Sequence, residues 1–376
     1  MQPDDVARYY ACQCPYEAIA ALATHAGDAL CNREFAFEGD FYKRYVQVTT
    51  AAELRSAALT MPGLRSIHIG PVYTGPVGWA KKGLVAPARR ELVFDIDLSD
   101  YAFLDTNETA ADGTSAPSAA KCDALWPYMA AAVFLLIWQL RELFGFEQFL
   151  VVYSGRRGVH LWVLDERAMR LSDEQRGSIA TCLNLQLEKG GGAATRCMMQ
   201  EHVDRYGLWP VVDECFKYLM IETGRMDTLQ GLCDFVEALG LEHPSLDGLA
   251  DDAFARPEGQ RWDYLVDRVR SVAKQAPALL WFNDRLRATM TAHVWPRLDV
   301  NVTKAVNHLI KCPFVCHAKS GRVAVPVDPF DYWRFDPSTG PTLDSLGDPQ
   351  AWRRLTELDR WIMRPVPSRQ VRRRPP

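Results

Sequence analysis

The chain has 376 residues, of which 48% are hydrophobic and 24% are charged. This composition is ordinary for a folded protein and excludes whole-chain disorder and collagen-like repetition. Lysine and arginine number 43 against 47 acids, a net charge of −4, which disfavours a protein that coats nucleic acid. The charge is uneven: residues 364–376 hold five arginines and no acid, which leaves −9 on residues 1–363.

The first forty residues have helical periodicity. Val6–Tyr10 form one segment, and Pro15 opens a second over Tyr16–Ala26. The opening MQPDDVARYY lacks the basic and then apolar segments of a secretory signal. Ten cysteines without such a signal indicate an intracellular protein whose thiols are mostly reduced.

Residues 91–98, ELVFDIDL, alternate with the period of a β-strand and place Asp95 and Asp97 on one face. Carboxylates two residues apart lie roughly 7 Å from each other along a strand. Burying both is costly without compensation, and Mg²⁺ and Mn²⁺ are the cations that prefer carboxylate oxygens. A lone D-x-D leaves the alternative of a solvent-facing strand with incidental acids open.

Residues 105–121 are small and polar and predict a loop. A helix is predicted over residues 123–144, with Pro127 in its first turn and Gly145 just beyond its end. Its apolar stretch, Met129–Trp138, has ten residues, whereas a membrane helix needs about 20. We therefore expect a buried core helix and no membrane span.

The runs Phe149–Tyr153 and Val159–Leu164 are typical of strands, and the intervening Ser-Gly-Arg-Arg-Gly predicts a hairpin. Glycines permit a tight turn whose amides face an anion. The guanidinium groups of Arg156 and Arg157 suit phosphate oxygens, and His160 is close enough to share the anion. A solvated basic hairpin tip is the alternative.

A helix capped by Ser172 is predicted up to Leu187, followed by Lys189–Gly192. Helical periodicity then dominates residues 193–285. Strand signals return at residues 297–302 and 322–327, so an α/β body is interrupted by a helical excursion. The last dozen residues are rich in proline and arginine and are predicted to be unstructured.

Residues 299–328 gather a third set of polar side chains. Asp299 lies at a strand-like position and would complete a three-carboxylate metal site. Potential cations or donors follow within fifteen residues: His308, Lys311, His317, Lys319 and Arg322. Acids that hold metals beside donors that hold a triphosphate indicate two-metal nucleotidyl transfer. Each histidine alone would be read as a core or surface residue. No P-loop or kinase signature occurs.

These segments resemble the small, catalytic subunit of eukaryotic-type DNA primase, in the archaeo-eukaryotic primase superfamily. The resemblance spans residues 1 to about 330, and its stretches follow the family order. They are Arg33–Phe37, Glu91–Tyr101, Tyr153–Glu166, Lys189–Gly191, Trp295–Val302 and Asn307–Asp328.

The resemblance implies roles for particular residues. The metal-binding catalytic carboxylates would be Asp95, Asp97 and Asp299, with Mg²⁺ or Mn²⁺ as cofactor. Nucleotide and triphosphate contacts would come from Glu34, Ser154, Gly155, Arg156, Arg157, Gly158, Val159, His160, His308, Lys311 and His317. Arg44 is a weaker member of this set.

The implied fold is an α/β (mixed-sheet, α+β) primase fold with an inserted all-helical subdomain. We predict a discontinuous catalytic domain of residues 1–190 and 286–362. The helical subdomain would be residues 191–285, and residues 363–376 would form a disordered tail.

One departure concerns zinc. The family usually has a structural zinc bound by four cysteines between the D-x-D strand and the next helix. Here that interval offers only Cys122, and one ligand cannot make a closed tetrahedral site. We predict that this zinc is absent and that the 105–121 loop is looser, with completion by remote ligands left open.

The resemblance implies a DNA-directed RNA primase catalytic subunit that makes short RNA primers on single-stranded DNA from nucleoside triphosphates during replication. Implied partners are a large primase subunit with an iron–sulfur cluster and the replicative DNA polymerase alpha complex, which implies a nuclear protein. One alternative is a stand-alone primase-polymerase or DNA-extending relative. Another is a catalytically inactive nucleic-acid-binding scaffold, against which the retained acids and cations argue.

Overall fold

A computed structural model describes residues 3–104, 106–109, 115–185, 201–317, 319–328 and 331–345. The described residues divide into two compact units, one within residues 3–129, 136–184 and 297–345, the other within residues 130–135, 185 and 201–296. The domain boundaries given above stay predictions. The predicted turn at Lys189–Gly192 and the predicted disordered tail lie outside the described residues.

The N-terminal segment forms two helices and then a strand. They are α1 (Pro3–Cys12), α2 (Tyr16–Ala23) and β1 (Arg33–Glu38). Both predicted helices are confirmed, but the helical prediction for the first forty residues is wrong at β1. This strand is buried and pairs with neighbours on both sides, and pairing partners distant in sequence are invisible to local periodicity.

Five strands form the first sheet. They are β1, β2 (Tyr42–Val46), β3 (Ser66–Tyr73), β4 (Pro87–Arg89) and β10 (Ile310–Lys311). All pairs are antiparallel in the order β10-β3-β1-β2, and β4 also pairs with β3. One face is apolar, with Phe35, Phe37 and Ile67 buried. The other face carries polar residues, among them His68 on β3 and Lys311 on β10, which are in register.

The second sheet carries the D-x-D motif. It contains β5 (Leu92–Asp97), β8 (Phe149–Tyr153), β9 (Gly158–Val163) and β11 (Val325–Val327). Its pairs are antiparallel in the order β11-β8-β9-β5. The predicted D-x-D strand and the predicted hairpin are both confirmed.

The segment predicted as a loop contains a small hairpin. Its strands are β6 (Asn107–Thr109) and β7 (Ser115–Pro117). The following helix, predicted over residues 123–144, is divided into α4 (Ala119–Ala124) and α5 (Trp126–Phe144). An apolar window within residues 119–144 is long enough for a membrane helix but is 67% buried, which is the pattern of a core helix.

The remaining helices frame the two units. The first unit contains α6 (Glu166–Met169), α7 (Asp173–Leu183) and α13 (Val300–Lys304), with the predicted capping box at Ser172 present. The second unit contains α8 (Trp209–Glu222), α9 (Leu229–Leu239), α10 (Leu249–Phe254), α11 (Glu258–Ala273) and α12 (Trp281–Val294). Aromatic rings of Phe216, Phe235 and Trp262 contact one another in its core. The mixed α/β fold with a helical region is thus confirmed.

A third helix, α3 (Ala51–Leu59), follows β2, and Thr50 caps it. Residues 201–205 are also helical. Short 3₁₀ helices lie at Leu30–Asn32, Val77–Lys82, Leu98–Asp100, Arg225–Asp227, Pro244–Leu246, Pro277–Leu279, Tyr332–Arg334, Pro337–Thr339 and Leu343–Ser345.

Candidate active site

Asp95 and Asp97 lie on β5, opposite β9. Asp95 is in register with His160 and Asp97 with Gly158. The residues that alternate with the two acids are buried, whereas both acids are partly exposed. The strand therefore presents two carboxylates on one face, as the period of two predicts.

The surroundings of Asp95 disfavour its charge. Burial raises the pKa of Asp95, and the nearby carboxylates of Asp97 and Asp299 raise it further, against a lowering influence of His160. His160 Nε2 lies 3.7 Å from Asp95 Oδ1. Asp95 thus lies where a bound cation would relieve repulsion between like charges.

The His160 ring is buried beside Asp95. Its Nδ1 has no hydrogen-bond partner among the described residues. Burial lowers the pKa of His160, partly opposed by Asp95, so the ring is neutral at pH 7. A buried nitrogen without a partner costs free energy, and a nucleotide oxygen or hydroxyl would remove that cost.

Asp97 already has partners. Its Oδ1 accepts hydrogen bonds from the backbone amide and hydroxyl of Ser99, at 2.8 and 2.7 Å. Arg157 Nε lies 2.7 Å from the same oxygen. All three contacts fall on Oδ1, so among the described residues Oδ2 is the Asp97 oxygen left for a metal.

Asp299 lies beside β5 but not on a strand. Its backbone amide donates to the carbonyl of Asp95 at 3.0 Å, and a single bridge joins Leu298 to Ile96. The predicted strand over residues 297–302 is wrong, because Asp299 is the N-cap of α13 and accepts a hydrogen bond from the Asn301 amide. The predicted proximity to Asp95 nevertheless holds.

The hairpin loop approaches β5 very closely. Ser154 Oγ accepts a hydrogen bond from the Gly158 amide at 3.1 Å. A Cβ on Gly158 would lie 2.7 Å from the Ile96 carbonyl oxygen, and Gly155 has φ +86°. Both glycines are therefore required by the backbone geometry. Val159 is fully buried and pairs with Ile96 and Tyr153 in the sheet, so its side chain does not meet a ligand.

The two loop arginines differ. Arg157 is paired with Asp97, whereas the Arg156 side chain has no hydrogen bond or ion pair with the described residues. The Arg156 charge helps to lower the pKa of His317 to about 4, after burial and Lys311. Arg156 is thus the uncommitted cation of this loop.

His317 is fixed next to the loop. Its backbone amide donates to the Arg322 carbonyl at 2.8 Å, and its Nδ1 lies 3.3 Å from Ser320 Oγ. Ser320 Oγ in turn donates to the Gly155 carbonyl at 2.6 Å. The described residues therefore connect His317 with the loop, as the resemblance implies.

Lys311 lies on β10 of the first sheet, and His308 precedes it in the chain. Burial lowers the pKa of His160, and the Lys311 charge lowers it further, whereas Asp95 acts in the opposite direction. Burial lowers the pKa of His308, on which Asp299 and Asp95 also act. Both residues are thus within electrostatic reach of the carboxylates.

Glu34 and Arg44 form one group. Glu34 is fully buried and accepts two hydrogen bonds from Arg44, at 2.8 and 3.1 Å. Tyr73 Oη donates to Glu34 at 2.9 Å. With its oxygens occupied, Glu34 orients Arg44, whose side chain is 34% exposed. Arg44, the weaker residue in the sequence analysis, is the one presented outward.

Cys122 lies at the start of the helical segment where the family zinc is expected. It is buried, and its neighbour Asp123 accepts two hydrogen bonds from Arg322, at 2.5 and 2.8 Å. Arg322 also donates to Tyr153 Oη at 3.1 Å. An ion pair thus fixes α4 here, and the absence of zinc stays a prediction.

The carboxylates fit a divalent cation in their chemistry. Three acids approach one another: Asp97 and Asp299 add to the effect of burial in raising the pKa of Asp95. Carboxylate oxygens are the ligands that Mg²⁺ and Mn²⁺ prefer. In the part of the chain that the structure describes, no three His, Cys, Asp or Glu side chains already converge on one metal position.

Three contributors were missed in the sequence. The pKa of Asp100 is raised by burial and by Asp97 and Asp95, which places a fourth acid at the site. Its spacing from Asp97 gave no signal. Tyr73 and Asp123 act through partners far away in sequence, Glu34 and Arg322, so no local pattern marks them.

Comparison with known proteins agrees with this geometry. A family model described as DNA primase small subunit matches residues 94–329. The DNA primase small subunit of Drosophila melanogaster is 32% identical over 336 residues, covering 84% of this chain and 73% of that protein. That of Caenorhabditis elegans is 32% identical over 367 residues, covering 92% and 86%. The DNA primase small subunit PriS of Halorubrum lacusprofundi is 26% identical over 273 residues, covering 66% and 60%.

Proposed function

The chain belongs to the DNA primase small-subunit family, and from this premise we propose that it is the catalytic subunit of a DNA-directed RNA primase. It joins ribonucleoside triphosphates on a single-stranded DNA template. A ribose 3′-hydroxyl attacks the α-phosphorus of the incoming nucleotide, a new phosphodiester bond forms, and pyrophosphate leaves. The observation that carries this proposal is the approach of Asp95, Asp97 and Asp299 beside unpaired cationic groups.

The chain's own residues bind and orient the triphosphate. Arg156, uncommitted in the structure, forms a bidentate contact with phosphate oxygens. Lys311 adds a second positive charge next to His160. These charges stabilise the negative charge that accumulates on the phosphate oxygens during transfer, which is the main contribution a protein makes to this chemistry.

His160, the loop and Arg44 fix the position of the nucleotide. Neutral His160 supplies a hydrogen bond from its buried ring, and the amides of residues 155–157 face the phosphates. Arg44, held by Glu34, adds a cation at the polar face of the first sheet. Because the reactants are positioned when they bind, much of the entropic cost of bringing them together no longer contributes to the activation barrier.

Asp95, Asp97 and Asp299 would hold Mg²⁺ or Mn²⁺. When bound, the metal would activate the attacking hydroxyl and stabilise charge on the phosphorus and on the leaving pyrophosphate. Arg157, which neutralises Asp97 in the structure, would add positive charge beside the bound triphosphate.

The small-subunit name of the relatives supports a large primase subunit as partner. By resemblance, that subunit carries an iron–sulfur cluster and the pair joins a replicative DNA polymerase alpha complex in the nucleus. The modest net charge of −4 fits a subunit that holds its template weakly without a partner.

The test is a priming assay on a single-stranded template with nucleotides and Mg²⁺ or Mn²⁺. The Asp95→Ala/Asp97→Ala double variant should make no primers, whereas Asp251→Ala/Asp252→Ala, at two exposed acids of α10, should prime normally. Undiminished synthesis by a folded Asp95→Ala/Asp97→Ala variant would contradict the proposed site.

A second arm of the assay separates the ribonucleotide primase from a DNA-extending relative. Ribonucleotides and deoxyribonucleotides are offered separately with the same template. The proposal predicts preference for ribonucleotides, and preference for deoxyribonucleotides would identify the chain as a DNA-extending member of the superfamily.

A further inference from the structure

An exposed surface lies at the free edge of the first sheet. β2 is the last strand in the order β10-β3-β1-β2, and the 3₁₀ helix Val77–Lys82 follows β3. The Gly78 amide donates to Gln47 Oε1 at 2.9 Å, which joins the 3₁₀ helix to the chain just after β2. We name residues 41–44 and 79–84 together the β2-edge surface.

The β2-edge surface exposes large apolar side chains. Phe41 is 56% exposed, Tyr42 49%, Trp79 52% and Leu84 67%. Large exposed apolar groups mark interaction sites, and the Val77–Lys82 helix that carries Trp79 contacts β2. Three of the four are aromatic.

The same surface is positively charged. Lys43, Lys81 and Lys82 are exposed, and none of them forms an ion pair with the residues that the structure describes. Residues 41–52 and 74–90 contain no acid, in a chain whose net charge is −4. Two acids, Glu38 and the exposed Asp40, flank the Phe41–Lys43 end of the surface. The uncompensated positive charge is therefore that of Lys81 and Lys82, since residues 74–90 contain no acid.

A chain of contacts joins this surface to the candidate active site. Tyr42 Oη lies 2.7 Å from His68 Nδ1, and His68 is in register with Lys311 on β10. Arg44, on the same strand as Tyr42, is held by Glu34. The β2-edge surface thus continues the polar face on which the nucleotide contacts lie.

We propose that the β2-edge surface binds single-stranded nucleic acid next to the nucleotide site, an inference that rests on the proposed function. Bases stack on Trp79, Tyr42 and Phe41, and phosphates contact Lys43, Lys81 and Lys82. Stacking on exposed rings requires bases that are not already stacked in a duplex. A protein partner fits less well, because lysine is depleted in protein–protein interfaces.

The test measures binding of a fluorescently labelled single-stranded oligo(dT) to the full chain by anisotropy, without nucleotides or metal. The variant Trp79→Ala/Lys81→Ala/Lys82→Ala should raise Kd about tenfold, since each base–aromatic stack and each phosphate contact contributes to affinity. The slope of log affinity against log salt should become shallower by about 1.4, because each of two lost phosphate contacts contributes about 0.7.

The matched control is Trp281→Ala/Lys274→Ala in the helical unit. Trp281 is 49% exposed and Lys274 is exposed, so residue types and exposure resemble those of Trp79 and Lys81. This variant should bind the oligonucleotide like the unaltered chain. Circular dichroism confirms that both variants are folded.

Three results would overturn the proposal: no binding by the unaltered chain, unchanged Kd and salt slope in the β2-edge variant, or an equal loss in the control. Because binding is measured without catalysis, these results are independent of the priming assay. A chain that primes but shows no loss in the β2-edge variant would refute only the surface. A chain that shows the loss but does not prime would refute only the proposed activity.

Discussion

The acids near the two ends of β5 differ in how the protein compensates their charge. Glu91, just before the strand, is fully buried and accepts hydrogen bonds from Arg33 at 3.1 and 2.6 Å. Burial alone would raise the pKa of Glu91, but the charge and hydrogen bonds of Arg33 bring it below the usual value. This acid is fully compensated by the protein itself.

At the other end, Asp95 has no comparable partner. Burial raises its pKa and the neighbouring acids add to the shift, with His160 opposing it at a distance of 3.7 Å. The difference distinguishes a structural ion pair from a functional site. A fold that can neutralise Glu91 with arginine leaves Asp95 to be neutralised by something that binds.

The largest expected effect is on activity at Asp95. Asp95→Asn should lower primer synthesis by about 100- to 1,000-fold, since removing one electrostatic contact to a reacting centre commonly costs about 10²–10³. Primer yield on a single-stranded template measures the loss. Glu91→Gln is the control at the other end of the strand. An equal loss of activity per folded molecule in Asp95→Asn and Glu91→Gln would contradict the distinction between a functional and a structural acid.

The next largest effect is on stability at Glu91. Glu91→Gln leaves Arg33 buried with an uncompensated charge and should lower the free energy of unfolding by about 3–5 kcal/mol. Urea denaturation followed by circular dichroism measures it. The exposed pair of Arg170 and Glu166 offers the contrast, because Glu166→Gln should cost no more than about 1 kcal/mol. Similar losses in both variants would contradict the assignment of Glu91 as a buried structural acid.

The ion pair of Asp123 and Arg322 is intermediate. Their side chains are 12% and 13% exposed, and Tyr153, to which Arg322 donates, donates to the Arg156 carbonyl at 3.1 Å. Asp123→Asn should lower the free energy of unfolding by about 2 kcal/mol and raise the KM for nucleotide, because the phosphate loop loses a support. A chelator should not reproduce this loss of stability. An unchanged KM in Asp123→Asn would show that the ion pair of Asp123 and Arg322 does not support the phosphate loop.

Sequence patterns identified what is local in this site. The alternation of ELVFDIDL and the glycines around Arg156 determine a strand and a turn without help from distant residues. The sequence could not place Asp299 on a helix N-cap, because its position depends on a backbone contact with Asp95, about two hundred residues earlier. It also missed β1, whose burial arises from pairing with β2 and β3.

Relative importance was equally hard to read from sequence. Glu34 and Arg44 were ranked by resemblance, but the hydrogen bonds from Tyr73 and Arg44 make Glu34 a support and Arg44 the exposed group. The β2-edge surface also needs the fold, because residues 41–44 and 79–84 are about forty positions apart and are joined through Gln47. Composition shows that both segments lack acids but not that they are neighbours.

The smallest expected effect is the stability of the metal-free protein with Asp95→Asn. Because the folded-state pKa of Asp95 is raised, its contribution to stability is present below the unfolded pKa, near 3.8, and is lost as pH rises through the folded pKa. At pH 7 in EDTA, asparagine should therefore raise the free energy of unfolding by about 0.5–2 kcal/mol, with the gain shrinking towards acid pH. Glu91 has the opposite sign, since its lowered pKa makes its contribution complete above pH 4.5 and lost only as pH falls. Thermal melting of both variants between pH 4 and pH 8 measures the two trends, and a lower melting temperature for Asp95→Asn at pH 7 would show that this carboxylate is compensated like Glu91.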